Sequence, residues 1–149
     1  MTSADAVADY LIALAHRRGE SVNNLKLQKL LYYAQAWHLA LHDAPLFSEK
    51  FQAWPSGPLI PALYWRFKEH GISDIPLQSA REVPSEIEPF LHEIIEEYGP
   101  LDEYDLSSMT YREAPWMTAH QGYDIGDPCN VELDEEEMRS YFRRLAEAA

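Results

Sequence analysis

Apolar residues in the segment LKLQKLLYYAQAWHLAL, residues 25–41, follow the period of an α-helix but are not confined to one face. One stripe has the i, i+3, i+4, i+7 spacing and consists of Leu27, Leu30, Leu31, Ala34, His38 and Leu41. Tyr33, Trp37 and Leu39 lie on other sides of the same helix. We expect a central helix covered by its neighbours, because large exposed apolar patches are rare on soluble monomers; an apolar face kept for a partner is the alternative.

Capping residues, prolines and glycines divide the rest of the chain into further helices. The predicted helices run over residues 4–18 behind the cap Thr2, over 24–42 behind Asn23, from Pro58 or Pro61 to His70, from about 85 to 98, after Asp102, from Pro115, and after Asp134. The sequence therefore predicts a mostly α fold, a compact bundle of about six or seven helices that forms a single domain over residues 1–149.

A short β-hairpin is predicted near residues 46–54. Phe47, Phe51 and Ala53 share parity, which indicates a strand, and PSGP at 55–58 is typical of a turn. Residues 72–84 contain two prolines and are predicted to form a loop.

Composition and cysteine content favour a soluble cytoplasmic protein. The chain has 149 residues, 46% of them hydrophobic, which suits one domain with its own core. Cys129 is its single cysteine, so no disulfide can form within the chain. The first apolar run contains Asp9, and no apolar segment reaches the roughly 20 residues that span a bilayer, so no membrane association is expected.

Charge is unevenly distributed along the chain, whose net charge is −13. Residues 1–71 carry seven Lys or Arg and six Asp or Glu, whereas residues 72–149 carry five and nineteen. An acidic half repels phosphate backbones, so nucleic acid is disfavoured as a partner. A basic protein would be attracted, although charge runs also serve solubility alone.

Catalytic and cofactor-binding motifs are not indicated. His38 and His42 are spaced to lie on one helical face, which is half of a zinc site, but no third ligand is marked by spacing. Cys129 lies among acids, which disfavour the reactive thiolate. The expectation is no cofactor and no metal, with a small metal-dependent enzyme using His38 and His42 as an alternative.

Two short segments combine aromatic residues with proline: AWPSGPLIPALYWRF at 53–67 and TYREAPWMTA at 110–119. Proline fixes the backbone beside a large flat side chain, which suits either a packed corner of the core or a binding anchor. Packing alone slightly favours the core.

The sequence NNLKLQKLLYYAQAWHLAL at 23–41, followed by these two aromatic segments, resembles the Panacea domain, a family of phage-associated and antitoxin proteins. The positions that carry the resemblance are Leu27, Leu30, Leu31, Tyr33, Ala34, Trp37, Gly57, Pro58, Pro61 and Pro115. The sequence departs from the family pattern in two places: Tyr111 stands where relatives commonly have histidine, and residues 55–56 are Pro-Ser.

The resemblance implies an antitoxin that neutralises its cognate toxin by direct protein–protein binding, without catalysis. It also leaves open a proteolytic adaptor that delivers the toxin to protease machinery. A transcriptional regulator is a weaker alternative because of the acidic second half. The predicted partner contacts, chosen for expected exposure, are Lys26, Gln28, Lys29, Trp54, Tyr64 and Trp116, with acids of 85–105 as steering charges.

Overall fold

The chain folds mainly into α-helices, as the spacing of its apolar residues predicts. The computed structural model describes residues 1–79 and 82–149. Within them the elements are α1 (Ala4–Arg17), α2 (Asn24–His42), β1 (Gln52–Trp54), β2 (Gly57–Leu59), α3 (Pro61–Phe67), α4 (Glu88–Tyr98), α5 (Glu103–Thr110), α6 (Ala114–His120) and α7 (Glu135–Ala148). The predicted fold class is confirmed. In these two ranges, no helix is both long enough and apolar enough to cross a membrane.

Helix α2 lies at the centre of the bundle because it is apolar on most of its surface. Helices α1, α3, α4, α5 and α7 and strand β2 all pack against it. Its largest buried side chains, which include Leu27, Tyr32 and Tyr33, have no exposed surface. Burying one such side chain stabilises a fold by about 1.5–3 kcal/mol. The predicted central helix is confirmed except at Leu41, which is 55% exposed and lies near the end of α2.

Side-chain caps fix the start of four helices. First-turn N–H groups donate to the three predicted caps Asn23, Asp102 and Asp134. The predicted cap Thr2 is wrong, because Ser3 caps α1 and its Oγ accepts from the Ala6 N–H at 3.1 Å. Thr2 instead forms a β-bridge to Phe47, which takes it out of the capping position.

The β-hairpin lies later in the chain than predicted. Strands β1 and β2 are antiparallel and joined by a two-residue turn, Pro55–Ser56. The predicted range 46–54 contains β1 but not β2, because the sequence pattern assigns Gly57 and Pro58 to the turn. Two residues suffice to reverse the chain, so both of these residues belong to the returning strand.

Gly57 allows the hairpin to approach α2 closely. Its φ is +106°, and a Cβ there would lie 2.7 Å from Lys29 Cε. A larger residue here would be strained at this φ and would have to displace the buried end of Lys29. On the other side, the Ala53 N–H donates to the Val131 carbonyl at 2.8 Å, which attaches the segment before α7 to β1.

The predicted loop after α3 contains no helix or strand in residues 72–79 and 82–84. It is attached to the bundle at Ile75, which is buried and whose N–H donates to the Val22 carbonyl at 2.8 Å. The remaining residues of this prediction, 80 and 81, lie outside the described residues.

Candidate interaction surface

The polar side chains at the start of α2 are buried, so the exposure expected for Lys26, Gln28 and Lys29, which made them candidate partner contacts, is wrong. Lys26 Nζ donates to the Gly99 carbonyl at 2.5 Å, and Lys29 Nζ donates to the Pro58 carbonyl at 3.3 Å. From the sequence alone, polar residues such as these predict a helix face that is exposed to solvent. In the fold their long side chains satisfy backbone carbonyls that would otherwise be buried without a partner.

The two glutamines of α2 act in the same way on the chain segments beside them. Gln28 accepts from the Ile60 N–H at 2.8 Å and donates to the Ile60 carbonyl at 3.4 Å. Gln35 accepts from the Leu46 N–H at 2.7 Å and donates to the Phe47 carbonyl at 2.8 Å. These contacts fix the two ends of the segment that carries the hairpin, so α2 positions it directly.

Burial changes the acid–base properties of both lysines. Desolvation lowers the pKa of Lys29 to about 7, because no carboxylate compensates the buried ammonium. Desolvation also lowers the pKa of Lys26, although nearby carboxylates, including Glu20 and Glu103, oppose it. Both side chains are therefore parts of the core rather than surface charges.

Glu113, which the sequence did not single out, links α6 to the centre of the bundle. Its carboxylate accepts from the Tyr32 and Tyr33 hydroxyls, each at 2.9 Å. Burial raises the pKa of Glu113 to about 7, and the two tyrosine hydrogen bonds oppose this shift. The available signal was its position directly before Ala114-Pro115, where α6 begins.

A row of aromatic side chains, partly exposed, runs across the hairpin, α3 and the α5–α6 corner; we call it the aromatic strip. Its members are Trp65, Tyr64, Trp54, Trp116 and Tyr111. Ring centroids are 5.6 Å apart between Trp65 and Tyr64, 5.1 Å between Tyr64 and Trp54, and 4.8 Å between Trp116 and Tyr111. Trp116 Nε1 donates to the Trp54 carbonyl at 2.9 Å and joins the two halves.

The predicted aromatic contacts occupy different depths in this strip. Trp54 and Tyr64 are half-buried, whereas Trp116 is only 9% exposed and stacks on the His120 ring at 4.3 Å. Trp116 therefore packs under the exposed members of the strip and offers little surface of its own to a partner. Trp65 is 60% exposed and was not among the predicted contacts, although it belongs to the same aromatic segment.

The hairpin turn is held in place from α5. The Tyr111 hydroxyl donates to the Pro55 carbonyl at 2.6 Å, and Ser107 Oγ donates to the Ser56 carbonyl at 3.4 Å. An open groove of about 500 Å³ lies beside the turn, lined by Gln52, Trp54, Pro55, Gly126, Pro128, Cys129 and Asn130. The strip and groove together form a rigid, largely apolar surface.

His38 and His42 lie side by side at the other end of α2, with ring centroids 4.7 Å apart. His38 Nδ1 is hydrogen-bonded to the Ala44 carbonyl at 2.6 Å, and burial lowers the pKa of His38. In the described part of the chain, no group of three His, Cys, Asp or Glu side chains is placed to hold a metal ion.

The sequence of this helical domain matches a known class of antitoxin domain. The family model described as antitoxin SocA-like, Panacea domain, matches residues 27–117. The chain therefore belongs to this family. The match includes all but the first three residues of α2, the hairpin, every member of the aromatic strip and Glu113.

A curated relative gives a more particular likeness. The chain is 40% identical over 68 residues to Antitoxin SocA of Caulobacter vibrioides (strain NA1000 / CB15N). The alignment covers 46% of this chain and 36% of the relative, so the chain spans about a third of the length of that relative. No solved structure matches the chain.

Proposed function

We propose that this protein neutralises a cognate toxin by binding it directly through the aromatic strip. The single observation that carries the proposal is the antitoxin family match over residues 27–117, because that range contains the whole strip. Membership of an antitoxin family implies a toxin as partner. Neutralisation by direct contact, without catalysis and in the cytoplasm, is our proposal for how this chain acts on it.

The geometry of the strip supports this role. Half-exposed Trp and Tyr side chains give large contact areas at low entropic cost, and such residues are enriched at the energetic centres of interfaces. Here Tyr111 and Trp116 hold the turn and the Trp54 backbone in place before any partner arrives. A surface held in its binding geometry loses less entropy on association.

Co-expression with the product of the adjacent gene tests the proposal. We expect that product to arrest growth when expressed alone and growth to recover when this chain is added. Purified proteins should form a complex on size-exclusion chromatography, and the half-life of the toxin should stay unchanged if binding alone neutralises it. A harmless adjacent gene, or recovery that depends on toxin degradation, would contradict the proposal.

Substituting an exposed residue of the strip tests the surface itself. Trp65→Ala should weaken the complex at least tenfold, because truncating an aromatic hot-spot residue costs about 2 kcal/mol or more and tenfold corresponds to about 1.4 kcal/mol. Leu145→Ala, at another exposed apolar residue on α7, is the matched control and should change the affinity less than twofold. Equal affinities of the two variants for the toxin would place the contact elsewhere.

A further inference from the structure

The carboxyl half of α2 leaves an apolar surface uncovered. From Leu30 to His42 the helix carries no Lys, Arg, Asp or Glu. Where the neighbouring helices do not cover this part of α2, its solvent-facing surface therefore has none of these charged side chains. A depression of about 240 Å³ opens there between α2 and α4. It is lined by Trp37, Leu41, Phe90, Glu93, Ile94, Glu97 and Tyr98, and we call it the α2–α4 groove.

The floor of the α2–α4 groove is fixed by its own contacts. Trp37 Nε1 donates to the Tyr98 hydroxyl at 2.7 Å, which orients both rings. Tyr98 stacks on Tyr33 with centroids 4.2 Å apart, and Phe142 packs edge-on against Trp37 at 5.0 Å. The groove is therefore preformed, and Leu41 is its most exposed apolar member.

The rim of the groove is negatively charged and uncompensated. Helix α4 contains four glutamates and no Lys or Arg. Glu96 pairs with Arg18 at 3.1 Å, but no ion pair among the described residues includes Glu93 or Glu97, which are exposed and one helical turn apart. Like charges at i, i+4 repel each other, and a basic ligand would remove that repulsion.

We propose that the α2–α4 groove binds a basic amphipathic helix of a partner protein. Two packed helices leave a groove that accepts a third, and apolar residues at i, i+3 or i+4 and i+7 of the incoming helix would cover Leu41, Trp37 and Phe90. Lys or Arg one turn apart on that helix would match the spacing of Glu93 and Glu97. The inference rests on the proposed function only where it identifies the partner: we take the protein that carries this helix to be the toxin.

A defined peptide tests the groove without the toxin. The probe is a fluorescently labelled 18-residue peptide with leucines at i, i+3, i+4 and i+7 spacing and lysines elsewhere, compared with a scrambled peptide of the same composition. Fluorescence anisotropy with the full chain should give an affinity for the amphipathic peptide at least tenfold higher than for the scrambled one. Equal affinities would overturn the proposal, because they would indicate non-specific charge attraction.

Charge reversal locates the binding site. Glu93→Lys/Glu97→Lys should weaken peptide binding at least tenfold, and the fold should tolerate it because both positions are exposed and a lysine at 97 lies in the last turn of α4, where it complements the helix dipole. The control Glu69→Lys/Glu82→Lys changes the net charge equally at exposed positions outside the groove and should weaken binding less than threefold. Equal losses in both variants would overturn the proposal. A second groove variant, Leu41→Ser, should also weaken binding.

Co-expression separates this inference from the proposed function. If the wild-type chain neutralises the adjacent gene product and the Glu93→Lys/Glu97→Lys variant does not, while the control variant does, the antitoxin role and the groove are both supported, and Trp65→Ala separately tests the strip. If both variants neutralise it fully, the groove is not the toxin contact, but the antitoxin function stands. If the wild-type chain fails to neutralise it, the proposed function falls, and the peptide measurement still decides whether the groove binds a basic helix.

Discussion

Glu113 is a buried acid whose protonation changes when the chain folds. Its pKa is raised from 4.5 to about 7, so the folded state binds this proton more tightly than the unfolded state. Stability from this group is therefore present at low pH and is lost as pH rises from about 4.5 to about 7. Loss of the proton leaves a charged carboxylate beneath α6, held by two tyrosine hydroxyls.

Replacing this acid with a neutral residue should remove its pH dependence. Relative to the wild-type protein, the free energy of unfolding of Glu113→Gln should increase by about 2 kcal/mol between pH 5.5 and pH 8. Urea unfolding of both proteins at each pH measures the difference, in which the other titrating groups cancel. A constant difference across this range would mean that Glu113 titrates normally in the folded state.

Lys29 should show the opposite dependence on pH. Burial lowers its pKa from 10.5 to about 7, so the unfolded state binds the proton more tightly and stability rises between these values. From pH 7 to pH 9.5, the wild-type protein should gain about 3 kcal/mol over Lys29→Met, which keeps the apolar stem of the side chain. Parallel unfolding curves for the two proteins at both pH values would contradict this expectation.

At the scale of elements, α2 positions its neighbours through side chains that bond to their backbones. Gln28→Leu keeps a similar size but leaves the Ile60 N–H and carbonyl without this partner, which should cost about 2–4 kcal/mol of folding free energy. Gln121→Leu, at an exposed position, is the control and should change stability by less than about 0.5 kcal/mol. Urea midpoints for both variants measure the effect. A cost below 1 kcal/mol for Gln28→Leu would show that water replaces the side chain.

Local sequence signals predicted the helices better than they predicted which side chains are buried and which form the candidate interaction surface. The caps Asn23, Asp102 and Asp134 depend on neighbouring residues, so they were readable without the fold. The partners of Lys29 and Glu113 lie 29 to 81 residues away, so nothing local indicates that these charged groups are buried. For the same reason, Lys29 was predicted as a surface contact and Glu113 was overlooked.

At the scale of the whole molecule, the uneven charge should govern how fast a partner arrives. Residues 72–149 hold nineteen of the 25 acids, and the chain has a net charge of −13. Opposite charges steer association, and salt screens the attraction. If the toxin is basic, its association rate should fall about tenfold between 50 and 500 mM salt, with a much smaller change in dissociation rate. Stopped-flow measurements can separate the two rates, and a salt-independent association rate would exclude electrostatic steering.

The hydrogen bond from the Tyr111 hydroxyl to the Pro55 carbonyl lies at the surface, apart from the contacts that hold the core together. Residue 111 lies on the surface side of the α5–α6 corner and touches the tip of the hairpin, while Glu113 and the buried face of α2 hold the interior. A shorter imidazole at position 111 would hold the tip differently without disturbing that interior. If the strip binds the toxin as we propose, a substitution at position 111 would change the preferred target while the scaffold stays the same.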